Sequence, residues 1–328
     1  MRRIPYLLLA ALALGLSACG DDGGDGATAS AASPGDVTLR VGVQKDGIRA
    51  VLDKTGALKD APYAVEFSTF QFGPPLVEAA GADKIDLAWV GSTPPIFGAA
   101  AGSDFKIVAA VKERDAQENS ILVPPDSPMR RVEDLKGKKI AVPKGSSAHG
   151  LLLNALARVG LSGGDVTPVF LAPADALAAY SAGQVDALVI WDPFTIQAKQ
   201  DLDARVITGG EPDEAGVGFL IASTKAIEAP AKRDAIADYV ARLNRAWTWA
   251  GKHTNEWAKA WTEESKLPIA VTKATTPVKV SDIVPVDDTI VARSQKLADL
   301  LREEQVLPDE VDFESIVARD VVDFEALK

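Results

Sequence analysis

Residues 139–157, Lys-Ile-Ala-Val-Pro-Lys-Gly-Ser-Ser-Ala-His-Gly-Leu-Leu-Leu-Asn-Ala-Leu-Ala, form the stretch around which the rest of the chain is organised. A short apolar run predicts a strand, a glycine-serine turn follows it, and a leucine-rich amphipathic helix follows the turn. A helix start directs unpaired backbone N–H groups and a positive dipole end at one spot, which suits an anion. Gly145, Ser146, Ser147 and His149 are therefore candidate anion-binding residues. The alternative is that one of the serines only caps the helix.

The N-terminal residues predict where the protein is located. Arg2 and Arg3 precede an apolar run, which ends in Leu16-Ser-Ala-Cys19. This pattern predicts a secretory signal peptide over residues 1–18, and Cys19 resembles the lipidated cysteine of bacterial lipoproteins. Residues 19–35, rich in Gly, Ala, Ser and Asp, predict a flexible tether. We therefore expect an extracytoplasmic protein, in the periplasm or on the outer face of the cell membrane, with lipidated Cys19 as its membrane anchor. The alternative is an ordinary signal peptide with a chance cysteine.

Charge and composition exclude several classes of function. Removal of residues 1–18 takes away two arginines and moves the net charge from −11 to −13, so we expect no non-specific binding of nucleic acid. Cys19 is the only cysteine of the chain and there are two histidines. With that cysteine lipidated, no thiolate nucleophile or cysteine metal site remains, and we expect neither a metal nor a cofactor.

Strands and helices alternate along most of the chain, which predicts an α/β fold with mostly parallel sheets. The turn after the predicted strand 85–90 places Thr93 as a helix cap and a proline directly behind it. Ligands of such folds bind at the carboxyl ends of the strands. Four loops are expected to converge there: Gln44–Asp46, Gly91–Thr93, Gly145–His149 and Trp191–Asp192.

Several motifs together resemble a known family. They are Val41-Gly-Val-Gln-Lys, Pro94-Pro-Ile-Phe, Asp134-Leu-Lys-Gly-Lys, Lys144-Gly-Ser-Ser-Ala-His-Gly-Leu-Leu-Leu and Gly183-Gln-Val-Asp-Ala-Leu-Val-Ile-Trp-Asp-Pro. The chain resembles, over essentially the whole of residues 37–321, the aliphatic sulfonate-binding proteins of bacterial ABC importers. These are grouped with taurine- and nitrate-binding proteins.

The resemblance implies a type II periplasmic-binding-protein fold, with two lobes, a hinge and the ligand in the cleft between the lobes. One lobe would comprise residues 36–123 plus 219–328, and the other residues 124–218. The protein would capture an aliphatic sulfonate and deliver it, as a monomer, to a permease with its ATPase. The implied ligand-binding positions are Gln44, Ser92, Thr93, Ser146, Ser147, His149, Trp191 and Asp192. For Asp192 a capping role, and for His149 a local helix-capping role, remain open.

The chain also departs from the family pattern. Ser92 stands where relatives often carry Asn or Asp, and Phe72 lies in a segment where many carry a carboxylate. Phe72 is therefore expected to make one wall of the ligand site more apolar. These departures leave taurine, nitrate or another compact oxyanion open as the ligand.

Two other functions remain as alternatives. A ligand-sensing lipoprotein would need the same binding site. An enzyme related to the pyrimidine-precursor synthases would need their cysteine-rich segment, which the chain lacks. We therefore expect a binding protein and no catalytic residue.

Overall fold

The computed structural model describes residues 37–113, 119–209 and 217–327. The predicted signal peptide, Cys19 and the tether lie outside these residues. The strands β1 to β11 span Thr38–Val43, Ala64–Thr69, Leu87–Val90, Phe105–Glu113, Asn119–Val123, Lys139–Val142, Thr167–Phe170, Ala187–Trp191, Arg205–Gly209, Val217–Ser223 and Ser281–Val284. The helices α1 to α11 span Ile48–Thr55, Gly73–Gly81, Pro94–Ala100, Ser147–Arg158, Pro173–Ser181, Phe194–Leu202, Thr224–Glu228, Pro230–Lys252, Thr254–Ser265, Ile269–Thr275 and Asp288–Glu303.

The strands form two separate sheets. The first has the order β11-β4-β10-β3-β1-β2 and the second the order β7-β6-β8-β5-β9. Both are mixed: β1 pairs in parallel with β2 and β3, and β6 with β7 and β8, whereas the pairings of β4, β5 and β10 are antiparallel. Antiparallel pairings thus slightly outnumber parallel ones among the described strands. Two of the five antiparallel pairings involve β10, which returns to the first sheet after the chain has built the second.

The strand pairing differs from the predicted lobes at two boundaries. Strand β5, at Asn119–Val123, pairs with β8 and β9 in the second sheet, although residues up to 123 were expected in the first lobe. Residues 217 and 218 likewise belong to β10 of the first sheet and not to the second lobe. The apolar character of both strands suits either sheet, so their sequences alone do not decide the pairing.

Apolar side chains pack on both faces of each sheet. In the first sheet, one face is covered by α1, α8 and α9 and the other by α2, α3 and α11. Two fully buried tryptophans of α9 fix the loop that follows β1. The Trp257 Nε1 donates to the carbonyl oxygen of Gly47 at 3.0 Å, and Gly47 adopts a left-handed φ of 79°. A Cβ at this glycine would lie 2.7 Å from the Trp261 ring, so the loop requires glycine.

Candidate functional site

A small cavity lies where the two sheets face each other. Its volume is about 20 Å³, and its lining comes from the ends of β1, β3, β6 and β8 and the start of β5. The lining residues are Gln44, Gly73, Trp89, Gly91, Pro94, Asn119, Ser146, Ser147 and Trp191. None of them carries a charged side chain. Hydroxyl, amide and indole groups, together with backbone N–H groups, are the polar groups available to a guest.

The turn before α4 satisfies most of its own polar groups. The Ser146 hydroxyl donates to the carbonyl oxygen of Pro143 at 2.6 Å and accepts from the backbone N–H of His149 at 3.3 Å. Ser146 is therefore the N-cap of the helix, and its hydroxyl proton is already used. The next two amides, of Ser147 and Ala148, belong to the first turn, which has no intrahelical acceptor for them. They are the donors that this helix start offers, with the half-buried hydroxyl of Ser147 beside them.

The starts of α3 and α4 are in direct contact, although the two helices pack on different sheets. A Cβ at Gly91 would overlap the Ser147 hydroxyl, and a Cβ at Gly150 would overlap the Thr93 hydroxyl. Both glycines thus allow a close approach that any larger residue would prevent. Thr93 stands at the N-cap position with helical backbone angles, but its side chain makes no capping bond. Its fully buried hydroxyl has no hydrogen-bond partner and packs against Gly150.

His149 lies behind the turn and lines neither the small cavity nor the larger one described below. Its Nδ1 accepts from the backbone N–H of Gly145 at 3.3 Å, and its ring lies 5.9 Å from the ring of Phe97 and 5.2 Å from that of Phe170. Burial, with the positive charge of Lys144 as a smaller cause, lowers the pKa of His149 to about 4. The imidazole is therefore neutral at neutral pH and stabilises the turn.

Two side-chain amides complete the small cavity. Asn119 opens β5, which runs antiparallel to β8 and pairs its first residue with Trp191. It is 7% exposed, and its Oδ1 has no hydrogen-bond partner. Gln44 follows β1 directly and donates through Nε2 to the Trp89 carbonyl oxygen over a long 3.4 Å. Because a side-chain amide carries two N–H groups, each residue still has a donor for an anion.

A larger cavity of about 470 Å³ adjoins the small one and shares Gln44, Trp89 and Trp191 with it. Aromatic rings supply much of its wall, since Trp89, Trp191, Phe70 and Phe194 all line it. The rings of Trp191 and Phe194 meet edge to face at 6.2 Å between centroids. A volume of this size holds an organic group of many atoms. The two cavities together offer a polar end and a mostly apolar body.

Of these two cavities, the larger one has charged side chains among its described lining residues and the small one has none. Buried Lys279 forms an ion pair with Glu113 at 3.1 Å and sits 4.9 Å above the Trp89 ring. Asp46 accepts through Oδ1 from the backbone N–H of Ile48 at 3.1 Å. Burial raises the pKa of the Asp46 carboxyl to about 6, although the positive charge of Lys279 opposes the shift.

Comparisons with known proteins identify the family. The family model of phosphonate periplasmic substrate-binding proteins of ABC transporters matches residues 59–224. An Escherichia coli (strain K12) protein described as an aliphatic sulfonates-binding protein is 35% identical over 291 residues, which cover 87% of this chain and 89% of that protein. The chain belongs to this family of substrate-binding proteins. Its members are described as periplasmic, which places the protein outside the cytoplasm.

Two further relatives agree with this assignment. A Bacillus subtilis (strain 168) protein with the same description is 33% identical, covering 95% of this chain and 93% of that protein. The solved structure of the alkanesulfonate-binding protein SsuA from Xanthomonas axonopodis pv. citri, bound to MOPS, superposes with a TM-score of 0.81. It is 35% identical and the match covers 87% of this chain and 99% of that one. The expected periplasmic-binding-protein fold is confirmed.

The structure separates the ten residues expected from the family pattern into groups. Gln44, Ser146, Ser147 and Trp191 line the small cavity, and Asp192 lines the larger one. Gly145, His149 and Thr93 lie behind the helix starts. They line neither cavity: the Gly145 amide donates to His149 Nδ1, and the Thr93 hydroxyl packs against Gly150 without a hydrogen-bond partner.

Two expected residues lie elsewhere. Ser92 lines a separate cavity against α4 and α11, since the turn of which it is part directs successive residues to opposite sides. Phe72 lines none of these three cavities; the chain turns into α2 at Gly73, and Phe70 of the same segment lines the larger cavity. Trp89 and Asn119 are lining residues that the sequence analysis missed. Asn119 precedes a strand, and only loops that follow strands were considered.

Within the described ranges, no group of three or more His, Cys, Asp or Glu side chains is arranged to hold a metal ion. None of the helices in these ranges combines the length and the apolar composition needed to cross a membrane.

Proposed function

We propose that the protein captures an organosulfonate between its two sheets and delivers it to an ABC-transporter permease. One observation carries this proposal. The start of α4 contacts the Gly91 turn beside a small cavity with hydrogen-bond donors and no charged side chain, and this cavity adjoins a large one with aromatic walls. A sulfonate is a permanent anion with three acceptor oxygens, and it is joined to an organic group. Relatives described as aliphatic sulfonates-binding proteins support the same ligand class.

The sulfonate group belongs in the small cavity. The amides of Ser147 and Ala148, the Ser147 hydroxyl and the side-chain amides of Asn119 and Gln44 would donate to its oxygens. Such donors bind a permanent anion without a buried cation, which would have a high desolvation cost. Asn119 is buried at the start of β5, and its side-chain nitrogen carries two N–H groups that can donate to a sulfonate oxygen.

Binding requires the two helix starts to move apart. A cavity of about 20 Å³ has room for roughly one water molecule and not for a sulfonate group. We therefore assign each sheet with its helices to one lobe, with the crossings between residues 113 and 119 and between 209 and 217. The lobes would open to admit the ligand and close on it.

The organic group belongs in the larger cavity. Trp89, Trp191, Phe70 and Phe194 would pack against an alkyl or ring-containing tail, as Trp191 was expected to do. The capacity of about 470 Å³ favours a tail longer than that of taurine. Nitrate, which has no tail, would leave this cavity without a guest.

Binding rather than catalysis is supported by the state of the polar groups. The Ser146 hydroxyl is engaged by the helix cap, and His149 is neutral and faces away from the cavities. Neither residue is arranged as a nucleophile with its base. We also propose that Cys19 is lipidated, that the protein acts as a monomer, and that its partners are a permease and an ATPase. A sensory partner would use the same bound state.

A phosphonate is the second candidate ligand, because the matching family model is that of phosphonate-binding proteins. A phosphonate has the same tetrahedral shape but carries a second, titratable charge. The uncharged lining of the small cavity favours the singly charged sulfonate over it.

Calorimetric titration tests the proposal. Alkanesulfonates should bind at one site with micromolar or tighter affinity, about −8 kcal/mol. Taurine, sulfate esters, alkylphosphonates and nitrate form the comparison panel. The variant Ser147→Trp should fold and lose binding, whereas Ser181→Trp, at an exposed position of α5, should bind normally. Binding of phosphonates or nitrate without any response to sulfonates would refute the assignment.

A further inference from the structure

A second contact joins the two assigned lobes behind the proposed ligand site. The ring of His149, in the first turn of α4, contacts the ring of Phe97 of α3 at 5.9 Å and that of Phe170 of β7 at 5.2 Å between centroids. Phe97 packs on the first sheet, and Phe170 belongs to the second. His149 is 2% exposed in this position. The imidazole is therefore buried at the boundary between the lobes.

One side of this burial comes from the first lobe. A Cβ at Gly145, in the same turn, would lie 3.3 Å from Pro74 and 3.4 Å from the Phe97 ring. The start of α2 and the helix α3 thus cover the turn, whereas Phe170 is itself 43% exposed. Separation of the lobes to admit a ligand would take Pro74 and Phe97 away from the turn. The His149 ring would then gain access to water.

The surroundings of the ring favour its neutral form. The helix α3 and the strand β7, which supply the two aromatic contacts, contain no titratable side chain. The charged group that acts on the ring is Lys144 of the same turn, whose Nζ lies 5.6 Å from the centre of the Phe170 ring. Burial is the main cause of the lowered pKa of His149, and the charge of Lys144 is the smaller one. Because opening removes part of the burial, the open form should take up a proton on His149 more readily than the closed form.

Protonation would also break an internal bond of the turn. Nδ1 of His149 accepts from the backbone N–H of Gly145 at 3.3 Å, so the neutral ring carries its proton on Nε2. In the protonated ring both nitrogens are donors, and the Gly145 amide loses its acceptor. The turn that presents the amides of Ser147 and Ala148 is thus built for the unprotonated imidazole.

We propose that His149 makes sulfonate capture depend on pH, because protonation of its ring favours the open lobes and release of the ligand. This inference rests on the proposed function, since it requires a ligand that binds between the lobes. A sulfonate does not titrate near neutral pH, so the protein would supply the pH dependence.

The direction follows from the uptake of a proton. At neutral pH the imidazole is unprotonated in the closed form and mostly so in the open form, so the effect is small. Below the ordinary histidine pKa of about 6.5, the open form takes up a proton, whereas the closed form does so only near about pH 4. Acidification between these values therefore stabilises the open form and should lower the affinity for the ligand.

NMR titration of the imidazole tests this directly. The untagged chain contains two histidines, so two ring signals are expected, and the variant His253→Gln assigns them. The pKa of His149 should be lower in the complex with pentanesulfonate than in the ligand-free protein. An equal pKa in both would overturn the proposal.

Calorimetric titration with pentanesulfonate measures the consequence for binding. From about pH 7.5 to about pH 5, the affinity of the wild type should fall by between about threefold and about 30-fold, the upper limit applying if the open form has the ordinary histidine pKa. His149→Phe should not show this fall, whereas His253→Gln should retain it. Asp46 titrates in the same range at the larger cavity, but all three proteins contain it, so its contribution cancels when their affinity ratios are compared.

The outcomes separate this proposal from the proposed function. If no sulfonate binds at neutral pH, both are overturned. If pentanesulfonate binds but His149→Phe shows the same affinity ratio as the wild type, only the pH dependence is overturned. If His149→Phe binds too weakly for the comparison, the pKa of His149 in the wild type with and without pentanesulfonate decides, because that measurement needs no variant at this position.

Discussion

Lengthening the alkyl chain of a bound sulfonate should strengthen its binding in regular steps. The larger cavity has a volume of about 470 Å³ and aromatic walls, so each added methylene is transferred from water into an apolar environment. Each buried methylene contributes about 0.8 kcal/mol, which is roughly a fourfold gain in affinity. From methanesulfonate to pentanesulfonate the four methylenes add about 3 kcal/mol, or roughly 200-fold.

The variant Trp191→Ala locates this gain in the structure. Trp191 lines both cavities, and it packs edge to face on Phe194. Its removal should reduce the gain per methylene and weaken pentanesulfonate binding much more than methanesulfonate binding. Trp249→Ala is the matched control, because this tryptophan stacks on His253 and lines neither cavity. Calorimetric titration of the five sulfonates with the three proteins gives the required slopes.

Two results would refute this reasoning. Affinities that stay within about twofold across the series would show that the tail remains in water and that the larger cavity is not its site. An equal loss for methanesulfonate and pentanesulfonate in Trp191→Ala would show that the indole acts on the anionic group and not on the tail.

Three further predictions concern the helix starts and two buried titratable groups. Gly91→Ala adds a methyl group that overlaps the Ser147 hydroxyl and should weaken sulfonate binding by about 1–3 kcal/mol in calorimetric titration. Gly164→Ala is the control, because its methyl group would lie 3.6 Å from the nearest neighbouring atom. Asp46→Asn should raise the free energy of unfolding above pH 6, because there the wild type carries an ionised, buried carboxylate at this position. Below about pH 4 the carboxyl is protonated, so urea titrations should show no difference between the two proteins. For His149 the sign is opposite: its pKa is lowered to about 4, so the wild type loses stability as the pH falls from about 6.5 to 4. His149→Phe should remove that loss, and an unchanged pH slope in either variant would contradict the assignment of its cause.

The sequence was sufficient for the elements whose signals are local. The glycine-serine turn and the apolar spacing after it predict a helix behind the turn, and α4 begins there, at Ser147. The strands β9 and β11 pair with strands distant in sequence, and the helices α7 and α10 are only five and seven residues long, so the local sequence gives no comparable signal for them.

The cavity that a given residue lines could not be predicted from such local signals. Ser92 and Gly91 are adjacent, yet one lines the cavity against α11 and the other lines the small cavity. His149 is placed by Phe97 and Phe170, which come from elements of different sheets. Such orientations depend on tertiary packing, for which a turn motif carries no signal. Asn119 was missed for a topological reason, since an antiparallel strand starts at the edge where its parallel neighbours end.

The division of roles within the turn suits the proposed site, at which an anion would bind without reacting. Ser146 uses its hydroxyl on the carbonyl of Pro143 and on the helix cap, and His149 uses Nδ1 on the amide of Gly145. These internal bonds fix the backbone before any ligand arrives, so little conformational entropy is lost when an anion meets the amides of Ser147 and Ala148. A nucleophile would need a free hydroxyl with a base beside it, but the turn consumes both groups in its own structure. The serine-histidine pattern therefore provides a rigid set of backbone donors, and the contact of Gly91 with Ser147 supplies the opposite wall.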